Sequence, residues 1–138
     1  MNTLSFPLLR EKIAASSPVR EILKAANAGK FPLEIEASEG ALTGILLSLL
    51  YRELRGRFLA VVSSDLEAAR LARDLETAGV PAAVFPWWGT MPYRDMAPLS
   101  AVFGERVGLL ANLAAGQQGI VIASQRAFLS PLPPPDYL

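Results

Sequence analysis

The chain has 138 residues, 51% of them apolar and 19% charged, with 13 basic against 13 acidic side chains and a formal net charge of zero. That length suits one domain of roughly 100–200 residues with its own core, and the charge balance offers no electrostatic footprint for phosphate backbones or anionic lipid. The chain has no His and no Cys, which excludes Ser-His-Asp and Cys-His nucleophiles, Cys/His zinc sites and disulfides.

The longest apolar stretch, residues 40–51, falls short of the roughly 20 residues that span a bilayer. The start, MNTLSFPLLREK, lacks a basic segment followed by an apolar run, so no secretory signal is expected and a cytoplasmic location is.

Along the chain, helix and strand patterns alternate. Ser17 and Pro18 open a helix as cap and first helical residue, Val19, Ile22, Leu23 and Ala26 mark one face, and Gly29 closes it. Residues 32–36 (PLEIE) alternate apolar and acidic, as a half-exposed strand does. A Gly-containing turn over 37–40 leads to a predicted helix at 41–54, stopped by Arg55-Gly56-Arg57. Residues 58–62 (FLAVV) form a continuous apolar run, the mark of a buried parallel strand. Ser64 and Glu67 have capping-box spacing ahead of a helix whose stripe is Ala68, Leu71, Ala72 and Leu75, with Gly79 at its end. Strands are expected at 80–85 and 119–123, a helix at 100–115 and a short one at 124–129. Four strands alternating with helices predict an α/β fold, a three-layer parallel sheet with flanking helices. The Pro-rich residues 131–138 read as an edge or linker toward a following domain, with the α/β domain occupying 1–130.

Four groups of residues could carry chemistry. In the turn after the first expected strand, Gly40-Ala41-Leu42-Thr43-Gly44-Ile45-Leu46-Leu47-Ser48 has the context of a phosphate-binding P-loop, in which glycines admit phosphate to backbone N–H groups, Lys supplies charge and Ser/Thr holds magnesium. With Thr43-Gly44 aligned to such a loop, Leu47 stands at the lysine position and only Ser48 keeps its chemistry. The turn therefore reads either as a degenerate P-loop at Gly40, Gly44, Leu47 and Ser48, or as plain turn and packing glycines. Glu34, Glu36 and Glu39 cluster, either for acid–base work or as the wet side of an edge strand. The loop 85–98 holds both Trp residues and one of three Tyr, suited to stacking on bases or partners or to pinning the loop on the sheet. Arg52, Arg55 and Arg57 fall at a helix C-terminus, where cations complement the dipole, and Arg70 and Arg73 lie among acids on a solvated face.

The stretch FPWWGTMPYRDMAPLSAVFGERVGLLANL, residues 85–113, resembles the F-P-x-W-E-T-x-P-Y-D-x-x-S-P…R-L-x-x-L signature of the N-terminal UvrB-like module of bacterial transcription-repair coupling factors (Mfd). Phe85, Pro86, Trp88, Thr90, Pro92, Tyr93, Pro98, Arg106 and Leu110 match. Residues 63–79 and 119–135 resemble the preceding helix and closing strand of that module, and EGALTG (39–44) its degenerate P-loop. Gly89, Arg94, Ala97 and Val107 depart from the usual Glu, Asp, Ser and Leu.

The resemblance implies a fold like UvrB domain 1a, P-loop NTPase-like with the Walker lysine lost. It implies a parent protein, an ATP-dependent DNA translocase, that releases stalled RNA polymerase from damaged DNA and recruits UvrA for nucleotide excision repair. In that family ATP and magnesium serve a motor elsewhere in the protein, other domains meet RNA polymerase and double-stranded DNA, and UvrA binds mainly the following domain. This segment is then a non-catalytic scaffold without a cofactor or metal of its own, with Trp88, Pro92, Tyr93, Arg94 and Arg106 as candidate interaction residues. The alternative is a free-standing α/β nucleotide-binding enzyme using the 40–48 turn.

Overall fold

A computed structural model describes residues 5–36, 38–89, 100–132 and 134. Two helices open it, α1 (Phe6–Ala15) and α2 (Ser17–Asn27). The sequence pattern gave no reason to expect α1, because its apolar residues do not form one stripe and Leu8 and Leu9 are exposed. Ser16, not Ser17, is the N-cap of α2, which moves Pro18 into the second helical position. The Ser16 hydroxyl donates to the Ile13 carbonyl at 2.6 Å and so finishes α1 instead of capping α2. Gly29, at φ +67°, ends α2 as expected, its N–H donating to Ala26 O and that of Lys30 to Ala25 O.

The strand expected at 32–36 is absent: the segment carries no regular secondary structure and joins no ladder. Its alternation has another cause. Ile35 packs on the cluster of Val19, Ile45, Leu46 and Leu49 between helices, while Glu34 and Glu36 face water. The period of two is thus satisfied by one apolar neighbour without a strand partner.

Next come α3 (Ala41–Leu54), β1 (Arg57–Val62), α4 (Asp65–Thr77), β2 (Ala82–Phe85), α5 (Ser100–Ala114), β3 (Gly119–Ser124) and α6 (Gln125–Phe128). Ser64 caps α4 by accepting from the Glu67 N–H at 3.2 Å. The Glu67 carboxylate reaches one residue further back than in a standard capping box, accepting from the N–H and hydroxyl of Ser63.

The three strands form one parallel sheet in the order β1-β3-β2, with Phe58 opposite Ile120, Ala60 opposite Ile122 and Val84 opposite Ile122. Helices cover both faces. On one, Ala68, Leu71 and Leu75 of α4 pack with Ile120 and Ile122, and Leu47 and Tyr51 of α3 join the margin. On the other, Leu109 and Leu110 of α5 and Ala127 of α6 pack with Phe85, Val121 and Ala123. This second layer leaves part of β1 bare, so the expectation of a strand buried on both faces is corrected: Leu59 is 56% exposed and Val61 45%. A continuous apolar run marks burial on both faces only for an inner strand, and here that strand is β3. Pro131, Leu132 and Pro134 carry no helix or strand, and the rest of 131–138 lies outside the described residues. No helix among the described residues is long and apolar enough to cross a membrane.

Candidate functional site

The turn before α3 opens onto a cleft of about 710 Å3. Gly40 is the N-cap of α3 at φ +58°, a left-handed conformation that favours glycine. The Thr43 hydroxyl donates to Ser38 O at 2.9 Å, and the Thr43 N–H donates to Gly40 O at 3.1 Å. These bonds close the turn on itself.

Of the four residues aligned with a P-loop, only Gly40 lines the cleft. Gly44 sits where α3 presses on α4: a Cβ there would stand 2.7 Å from the Asp74 Cβ. Leu47 packs against the sheet core. Ser48 is fully buried and donates to Ile45 O at 2.7 Å, so its hydroxyl belongs to the helix interior and not to a cation. Among the described residues the cleft wall carries Glu39, Glu67 and Asp74 against the single cation Arg70. The two hydrogen bonds from Ser63 hold the Glu67 carboxyl below its ordinary pKa and so keep it anionic. A triphosphate would meet more negative than positive charge there. The residues present do not fit ATP with magnesium, and no group of three or more metal-ligating side chains occurs among the described residues.

The arginines do structural work across elements. Arg52 donates to Ala78 O at 2.7 Å, and Ala78 is the C-cap of α4, so Arg52 serves its neighbour's C-terminus as well as lying near its own. Arg57 donates to Leu113 O at 3.2 Å.

The aromatic loop gives the second constellation. Trp87 and Trp88 follow β2 after Pro86, and an arginine from a different helix stacks on each. The Arg126 guanidinium of α6 lies 4.1 Å from the Trp87 ring centroid. The Arg106 guanidinium of α5 lies 4.1 Å from the Phe85 ring and 4.2 Å from the Trp88 ring, and Nη1 donates to Pro86 O at 2.6 Å. Phe103 completes the stack, tilted 32° from Trp88 at 6.1 Å. Burial lowers the Arg106 pKa, while the Asp65 carboxylate raises that of Arg126 and is itself lowered by it. Trp88 and Arg106, singled out in sequence, therefore meet; Pro92, Tyr93 and Arg94 lie outside the described residues. Sequence reasoning missed the Trp87–Arg126–Asp65 chain, whose members are 22 to 61 residues apart and carry no local pattern.

No family model matches the chain, and no curated protein matches it in sequence.

Proposed function

We propose that the chain is a non-catalytic scaffold of the kind that opens bacterial transcription-repair coupling factors, supporting recruitment of UvrA within a larger machine that displaces stalled RNA polymerase. One observation carries the reading. Phe85, Pro86, Trp88 and Arg106, four positions matched to that family's signature and spread over 22 residues, converge on a single guanidinium held between two rings. Signature spacing that closes into one packed unit is what a structural motif requires. The acidic cleft and the inward-facing Leu47 support a module without nucleotide chemistry. Double-stranded DNA, RNA polymerase and the ATP-driven motor belong, on this reading, to other parts of such a protein. The free-standing nucleotide enzyme finds no support in the cleft, whose described residues offer phosphate one cation against three acids.

The test is a chimera in which this chain replaces the corresponding front segment of a bacterial coupling factor. Retained UvrA binding and repair of the transcribed strand are expected. A chimera that folds and translocates but no longer recruits UvrA overturns the proposal. So does micromolar binding of Mg-ATP by the chain alone in calorimetry.

A further inference from the structure

The two edges of the sheet differ in how they meet solvent. β2 is only four residues long and follows Pro81, and a short strand beside a proline is a poor template for another strand. β1 has six residues, RFLAVV, in unbroken register with β3, and Arg57 is its one charge. Leu59 and Val61 stand exposed on its open face. Among the described residues the backbone of β1 pairs with β3 alone. The register decides which groups stay free. Arg57 lies opposite Gly119, whose N–H donates to Gly56 O at 3.3 Å. A parallel ladder that starts so turns the N–H and C=O of Phe58 and Ala60 toward β3 and those of Arg57, Leu59 and Val61 outward. Such a row of unpaired groups on an apolar edge is a template for a further strand.

A second copy of β1 fits that template. About a two-fold axis at Ala60 the two strands run antiparallel, and Leu59 faces the partner's Val61 with both residues turning their free backbone groups to each other. A slip of one residue would set outward groups against inward ones and lose these bonds. The same axis brings Arg57 opposite the partner's Ser63, the residue whose N–H and hydroxyl hold the Glu67 carboxylate. The basic start of each strand therefore meets an acid at the end of the other, while the apolar middle meets itself. A parallel pairing in register would set Arg57 against Arg57 instead, which is unfavourable. We propose that the chain forms a two-fold dimer through β1, joining two three-stranded sheets edge to edge, with Arg57 of each copy beside the Glu67 carboxylate of the other. The inference does not rest on the scaffold reading above.

One strand edge is a small interface, so a dimer Kd of about 10–100 μM is expected. Sedimentation equilibrium of the whole chain from about 5 to about 500 μM should follow the passage from monomer to dimer mass. Amide exchange gives the sharper readout. Over the same range the N–H groups of Arg57, Leu59 and Val61 should slow at least about threefold, while those of Phe58, Ala60 and Val62, already in the ladder, should not change. Leu59→Pro removes an outward N–H and leaves the bonds to β3 whole, so it should fold and stay monomeric. Should it fail to fold, Arg57→Glu on an exposed side chain sets acid against acid at both ends of the interface and should raise the Kd about tenfold. A chain that remains monomeric throughout the range overturns the proposal. So does a dimer that neither substitution weakens. Protection of the three outward amides that is independent of concentration overturns it as well, since another segment of the same chain would then hold the edge.

Discussion

Gly44 and Asp74 meet so closely that a Cβ on the glycine would stand 2.7 Å from the Cβ of the aspartate. The clash is with the root of the Asp74 side chain, which cannot swing aside, so α3 and α4 would have to separate. Gly44→Ala adds helix propensity worth up to about 1 kcal/mol but forces overpacking that costs about 1–3 kcal/mol. We expect net destabilisation, read as a lower urea midpoint with an unchanged slope. A variant as stable as the parent would show that the helices part freely and that Gly44 is not needed for packing.

The two ends of the sheet's burial range give a paired expectation. Ile122 on β3 is fully buried, whereas Leu59 on β1 is 56% exposed. Ile122→Ala should cost about 2–5 kcal/mol through lost burial and a residual cavity. Leu59→Ala should stay within about 1 kcal/mol. Equal losses in chemical denaturation would mean that the outer face of β1 is covered in solution.

Asp65 and Arg126 join the start of α4 to α6, with Arg126 Nε donating to the carboxylate at 3.0 Å. The guanidinium holds the Asp65 carboxyl below its ordinary pKa. A carboxyl with a depressed folded value adds stability above its unfolded pKa of about 3.9, and that stability is lost as pH falls through the folded value. Urea midpoints measured from pH 7 down to pH 2 should therefore fall further for the wild type than for Asp65→Asn, with the difference arising below about pH 4. Parallel curves would show that the pair is not formed in solution. Raising the salt to about 1 M should shrink the difference, because both side chains are well exposed to screening ions.

What the sequence displayed of this fold follows from how local each signal is. Helix α3 was readable at both ends, and α4 through its cap residue Ser64 and the left-handed Gly79, because caps and glycines act within a few residues. The inner strand β3 was readable from an apolar run that needs no knowledge of its partners. The 32–36 segment misled for the opposite reason: Leu33 and Ile35 alternate as a strand does, yet the decision between ladder and coil rests on whether a neighbour comes within hydrogen-bonding reach. The same limit applies to the site. Trp88 drew notice as an aromatic and Arg106 only as a position matching the resemblance, but only the chain's return through α5 sets the guanidinium between Phe85 and Trp88. Leu47 was legible as a missing charge; that Ser48 turns inward to Ile45 O was not, since a helix phase of one residue decides it.

Restoring the charge at position 47 asks whether the α3 turn is one side chain away from holding a nucleotide. In Leu47→Lys the methylene stem can keep part of the packing of Leu47 against the sheet, while the ammonium must reach toward solvent. We expect a stability loss of about 1–3 kcal/mol for the partial burial of a cation. Leu46 should be left in place, because it is buried among Val19, Ile45 and Leu49 and its replacement by glycine would add a cavity that confounds the reading. Folded Leu47→Lys, verified by circular dichroism, should give only heats of dilution with Mg-ATP. The reason is geometric as well as electrostatic: residue 47 does not line the cleft, and Glu39, Glu67 and Asp74 outnumber Arg70 along its wall. Micromolar binding by this single variant would mean that the turn retains a phosphate cradle and that the lost lysine alone silenced it.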